Sequence, residues 1–310
     1  MVKTLELANG MFVSMAVAEV TSVPYYELFA KDLDRANYSN QVLFTQILQA
    51  MHRKSNAENT AFEFLFQSIG VDNQTYKAQV RLYIIVRKIG DVKLSNESFI
   101  LDMMSSIKND LEDKNFSVSV LDTESEYSAF EKTLAETDCS KVLSISKKEK
   151  VIGNALSANG LMYYNDVIEP SENTNIATLT NALTQYPGSV ISMQIIPTKY
   201  NIQELYGIEE SKNFLAHYVS EIRYRQGIRV DANTQMIVDA YDYYSQANNE
   251  LLFLYNFVVY SEYSSAIDLA NKLMDAVETE GKATGSSLDI VDVSEFGLTP
   301  ATNLFASPWI

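Results

Sequence analysis

The sequence predicts an α+β protein made of two similar units, each running helix–strand–strand–helix–strand, the second interrupted by a helical hairpin. Three observations carry that expectation. Apolar residues recur with a period of two in some segments and with helical spacing in others. The same order of segments recurs in the second half of the chain. The 310 residues are 46% hydrophobic and 21% charged, enough for two cores of ordinary size.

Within the first unit, residues 1–150, the chain opens with two short strands turning at Asn9-Gly10. A helix is expected over Tyr38–Arg53, where Leu43, Ile47, Ala50 and Met51 share one face. In Ala61–Gly70, Phe62, Phe64 and Phe66 alternate with Glu63 and Gln67, which predicts a strand with one buried face. Lys77–Ile89 is a second strand, with Val80, Leu82, Ile84 and Val86 on one side and Arg81, Tyr83 and Arg87 on the other. Ser95 is placed to cap a helix whose stripe is Ile100, Met103, Met104, Ile107 and Leu111. Phe116, Val118 and Val120 make the closing strand. The linking region, Thr123–Asn175, holds one helix at Phe130–Glu136 and an edge hairpin through Val151 and Met162.

The second unit, residues 151–310, repeats the order. Ile176, Leu179 and Leu183 predict a helix stopped by Pro187-Gly188, and Ser189–Pro197 alternates as a strand. Leu251–Tyr260 is a continuous apolar run, the pattern of a central strand buried on both faces. A helix then aligns Ala266, Ala270, Leu273, Met274 and Val277, Gly281 and Gly285 bracket a turn, and Leu288–Val293 closes the unit. Both units are ferredoxin-like in this order. Residues 201–249 form the insertion, read as helices over Glu209–Arg225 and Ala232–Gln246 joined around Gly227.

Composition narrows the chemistry. A single cysteine, Cys139, excludes a disulfide framework and a thiolate cluster, and two histidines, His52 and His217, exclude a three-histidine metal site. The net charge of −16 argues against non-specific nucleic-acid binding. The acidity is uneven: residues 151–310 hold 19 acids and 7 bases, and three of those bases are Arg223, Arg225 and Arg229. Asn173–Thr198 is uncharged but rich in Asn and Thr, unlike a membrane span. Met11–Ala18 faintly matches a signal peptide, against which stands Glu6 in the place of a basic region; a cytoplasmic location is expected.

A phosphate loop fails at Gly281-Lys282, where Ala276 and Ala283 replace the required glycine and hydroxyl, so no nucleotide cofactor is expected. Asp239 and Asp242 lie three apart on a helix, but no histidine accompanies them, and a solvated acidic face explains them better than a metal site. Cys139 lacks a neighbouring His or Cys to activate it, and neither histidine anchors a nucleophilic dyad. Tyrosine stands out: 19 residues, grouped at Tyr163-Tyr164, at Tyr241, Tyr243 and Tyr244, and at Tyr255, Tyr260 and Tyr263. Tyrosine offers large contact area with a polar tip and is enriched at protein interfaces. The expected partner-binding residues are therefore Arg223, Arg225, Arg229, Asp239, Tyr241, Asp242, Tyr243 and Tyr244, serving contacts with other protein subunits in a homo-oligomer.

The run Phe62–Phe66, the strand Val80–Arg87, the following helix, Phe116–Val120 and the tail Thr302–Pro308 together resemble the non-catalytic N-terminal region of bacterial HerA-like and conjugative-transfer-type translocase ATPases. The resemblance implies α/β domains ahead of a RecA-like motor, and an accessory or oligomerisation role for this chain. No Walker loop is present, so no ATPase residue carries over, and the apolar Phe305–Ile310 would be a linker toward the motor. The alternative is a self-contained α+β scaffold or assembly protein. An enzyme using Asp239, Asp242 and nearby tyrosines comes third.

Overall fold

A computed structural model describes residues 1–22, 47–55, 59–71, 77–153, 161–165, 176–226, 232–247, 251–277 and 288–306. The amino-terminal hairpin is β1 (Lys3–Glu6) and β2 (Phe12–Ser22), turned at Gly10, whose φ of +78° suits glycine. Helix α1, described over residues 47–55, buries Ile47 and Met51 as its spacing requires. Then come β3 (Thr60–Ile69), β4 (Gln79–Gly90), α2 (Lys93–Glu112), β5 (Ser117–Val120), α3 (Glu124–Ala135) and β6 (Lys141–Lys147). A separate two-stranded hairpin, β7 (Glu149–Gly153) with β8 (Leu161–Asn165), sets Val151 opposite Tyr163 and Ile152 opposite Met162. The remainder is α4 (Ile176–Leu183), β9 (Val190–Thr198), α5 (Ile202–Gln226), α6 (Ala232–Ala247), β10 (Leu252–Ser261), α7 (Tyr263–Val277), β11 (Leu288–Asp292) and α8 (Pro300–Ala306).

Two separate ferredoxin-like units are not what forms. Among the described residues, nine strands make one antiparallel sheet in the order β1-β2-β4-β3-β9-β10-β6-β11, with β5 also on β2. The joint is β3 against β9, where Phe62 faces Ile195 and Phe64 faces Met193. Both edges of β3 are therefore paired, and the two halves of the chain share one sheet. The order of connections reads alike from either end: β4 lies between β2 and β3 as β10 lies between β6 and β9. β6, which falls in a region expected to hold only a helix and an edge hairpin, lies between β10 and β11.

Helices cover both faces, whereas one covered face is what the striped helices suggest. α1, α2, α4 and α7 bury Met51, Ile100, Met103, Leu179, Leu183 and Leu273 against Phe62, Phe64, Ile84, Val86 and Val259. On the other face α3 and α8 bury Tyr127, Phe130, Leu134 and Leu304 against Met15, Val17, Leu65, Ile85 and Val258. β3 is consequently buried on both sides, Glu63 and Gln67 included. β10 departs the other way: only Val258–Ser261 are buried, and Leu254 is exposed.

Local signals explain several element ends. α3 starts in a capping box: Glu126 N–H donates to Thr123 Oγ1 at 3.3 Å, and Glu126 Oε2 accepts from the Thr123 N–H at 2.9 Å. The Thr123 hydroxyl, then the Asp122 and Thr123 N–H groups, donate to the Glu126 carboxylate and hold it below its ordinary range. α2 starts earlier than Ser95 suggests, at Lys93, with Val92 in the N-cap position and no side-chain cap. Asn96 is buried there and donates to the Phe12 carbonyl at 3.1 Å, tying α2 to the sheet. A Cβ on Gly90 would lie 2.6 Å from Asn96 Oδ1, so any larger residue at this strand end must displace the Asn96 amide.

Candidate interaction site

The hairpin of α5 and α6 leaves the sheet at Thr198, the end of β9, and returns at Leu252, the start of β10; these two residues are register partners. α5 spans 25 residues, so this arm reaches about 37 Å along its helix axis. Its root is firmly capped: Asn201 Oδ1 accepts from the Gln203 and Glu204 N–H groups at 2.9 Å, and Glu204 Oε2 accepts from the Asn201 N–H at 2.7 Å.

Polar side chains join the two helices. Lys212 Nζ lies 3.4 Å from Asp242 Oδ1 and donates to Ser245 Oγ at 3.4 Å, while Ser245 donates to Glu209. Asp242 thus serves the hairpin's internal packing. Asp239 is exposed on α6. Tyr241 meets Tyr244 edge-on at 5.9 Å between ring centroids, and Tyr243 meets Tyr244 at 6.2 Å. Tyr243 is exposed, and Tyr200 at the root has its hydroxyl pKa raised by burial, then by the neighbouring Tyr243 and Glu204.

Arg223 and Arg225 lie in the last turns of α5, and Arg229 lies outside the described residues. Eleven residues of helix, about 16 Å, separate Arg223 from Lys212, where Asp242 is held. The tyrosines and acids of α6 line the root half of the arm, and the arginines lie toward its tip. Phe214 belongs to the apolar side that helical spacing gives α5, whereas Ile202 and Tyr206 precede the helix start expected at Glu209. Ile202, Tyr206 and Phe214 are 86%, 69% and 44% exposed on α5, large apolar side chains left to solvent on a helix with no buried residue among its described side chains.

The strongest buried polar cluster, also missed, lies in the sheet. Arg87 is fully buried and donates through Nη2 to Glu63 and through Nε to the Leu304 carbonyl at the end of α8. Ser192 Oγ donates to Glu63 Oε1 at 2.5 Å, and Asn303 Nδ2 donates to Tyr260 Oη at 2.6 Å. Burial raises the Tyr260 hydroxyl pKa, with Glu63 acting in the same direction. Here a charge meets its countercharge and no nucleophile is activated, so the cluster fastens α8 to the sheet.

Cys139 is half-buried and donates to the Thr137 carbonyl at 3.5 Å; burial and Asp138 push its thiol up, away from a reactive thiolate. Gly281-Lys282 lies outside the described residues. Among the described residues, no three of His, Cys, Asp and Glu converge on a metal position. No described helix is long and apolar enough to cross a membrane. No family model matches the chain, and no curated protein matches it in sequence.

Proposed function

We propose that this chain is a non-catalytic assembly protein that associates with a second copy of itself through the α5–α6 arm. The observation that carries the reading is the set of large apolar side chains left exposed along α5, Ile202, Tyr206 and Phe214, on a hairpin capped at its root. Charge along the arm favours a second copy as occupant. Three acids and one base, Glu204, Glu209, Glu210 and Lys212, lie in the root half of α5, and one acid and two bases, Glu221, Arg223 and Arg225, near its tip. Two arms packed antiparallel set the acidic root of each beside the basic tip of the other, which orients the contact while the aromatics supply its area.

The test is the mass of the protein in solution. Replacing residues 201–249 with a short Gly/Ser linker leaves a monomer if the arm is the contact. Glu209→Arg with Glu210→Arg, or Arg223→Glu with Arg225→Glu, abolishes association in each variant alone. Mixing the two reversed variants restores it. Wild-type association by the linker variant places the interface elsewhere and ends this reading.

An accessory and oligomerisation role in a bacterial ATP-driven translocase is the narrower form of the same proposal. It is supported by the resemblance of the strand–strand–helix–strand run and of the tail, whose described part lies in α8. A phosphate loop encoded shortly after Ile310 favours this form, and a stop codon favours the free-standing assembly protein.

A further inference from the structure

His52 sits where the arm joins the sheet. Its Nε2 is 3.1 Å from the Thr198 carbonyl oxygen and 3.1 Å from the Leu252 carbonyl oxygen. Those carbonyls belong to the two points at which the chain leaves and re-enters the sheet. Both are acceptors, so Nε2 carries the proton and shares it between them. The ring also stands edge-on to Phe253, with centroids 5.1 Å apart at 84°. α1, which carries His52, is seated in the core by Met51 and Ile47. One imidazole therefore ties both strands of the arm's neck to a helix that is packed elsewhere.

We propose that His52 is the clamp that sets the direction of the α5–α6 arm, a positioning residue that acts on assembly without touching the partner. The inference rests on the arm being the contact surface. An antiparallel pairing of two arms of this length magnifies any angular freedom at the neck, so loosening two carbonyls at the root misaligns the tips. A histidine that only satisfied two carbonyls would affect the local backbone and leave assembly unchanged.

Two substitutions separate donor from shape. His52→Phe keeps a ring beside Phe253 and removes the donor; His52→Gln keeps N–H groups able to reach the carbonyls. Hydrogen exchange on the full chain is the first readout and self-association the second. In His52→Phe, amides of residues 198–205 and 251–253 exchange about five- to tenfold faster while those of β4 do not, and association weakens by a similar factor. His52→Gln restores both. A disulfide between Lys199→Cys and Leu251→Cys, just outside the Thr198–Leu252 pair, restores association to His52→Phe by closing the neck covalently.

Unchanged exchange in His52→Phe overturns the clamp outright. Faster exchange with wild-type association overturns the link to assembly. If the linker variant also associates normally, it is the arm reading that has failed, and the exchange data still judge the neck. Should His52→Phe lose its fold, Phe253→Leu, which keeps the donor, must leave neck exchange and association at wild-type levels; a loosened neck there assigns the joint to ring packing and overturns the clamp.

Discussion

Arg87 and Glu63 show how much a single buried side chain can commit. Neither is exposed, each is the other's countercharge, and Arg87 also closes the carboxyl end of α8 through the Leu304 carbonyl. Removing one partner leaves the other charge buried alone, so Arg87→Ala should lower stability by about 3–5 kcal/mol. The double substitution Glu63→Leu with Arg87→Met should cost far less, because no charge is then stranded. Urea denaturation of the two variants checks the difference.

At the surface, Asp292 follows another rule. Its bonds to Lys141 and Ser294 hold its carboxyl at about 2, below the ordinary 3.8. A depressed carboxylate stabilises the folded state above its unfolded pKa, and that contribution disappears as pH falls through the folded value. Asp292→Asn should therefore have a lower urea midpoint than wild type at neutral pH, with the gap closing as the pH approaches about 2. A gap independent of pH would mean that the ion pair contributes nothing.

Among elements, the outer edge of β2 is the instructive case. β1 pairs with its first residues, through Met15, and β5 with its last, from Ala18, so two short strands share one edge end to end. The gap between them leaves Ala16 and Val17, and α3 fills it at Val17. The Val17 N–H donates to Tyr127 Oη at 3.1 Å, Tyr127 Oη donates to the Met1 carbonyl at 3.0 Å, and the Leu121 N–H reaches the Val17 carbonyl at 3.0 Å. Burial raises the Tyr127 hydroxyl pKa, which keeps it a neutral donor. Tyr127→Phe removes the bridge and leaves a buried amide unpaired, at a cost of about 1–3 kcal/mol. Faster exchange of the Val17 amide, with β9 and β10 unaffected, would locate the loss at this seam.

For the whole molecule, the antiparallel joint of β3 and β9 makes the nine strands one unit of stability. Amides of β3, β4, β9 and β10 should exchange through a common opening and share one denaturant dependence. Two distinct openings, one for each half of the sheet, would show that the joint is weak. An isolated fragment of residues 1–150 should aggregate. It exposes the long apolar edge of β3, which β9 covers in the intact chain, and it separates β6 from β10 and β11.

What the sequence determined by itself was face and period. The stripe of α2, the alternation of β4 and β9, the Asn9-Gly10 turn and the helical hairpin follow from side-chain spacing, because solvent sorts apolar from polar residues within a few turns of chain. Edges were left to the tertiary structure, since every residue carries the same backbone donor and acceptor and periodicity does not choose a neighbour. That is why one sheet stands where two were expected. β6 illustrates the limit: Leu143 and Ile145 alternate with Ser144 and Ser146, a signal for a strand but not for its place between β10 and β11. Glu63 looked solvent-facing because its burial depends on Arg87 and Ser192, 24 and 129 residues away. The same reasoning holds at the arm. Its two helices and its unusual tyrosines were legible, but only packing paired Asp242 with Lys212 and put His52 between the two carbonyls of the neck.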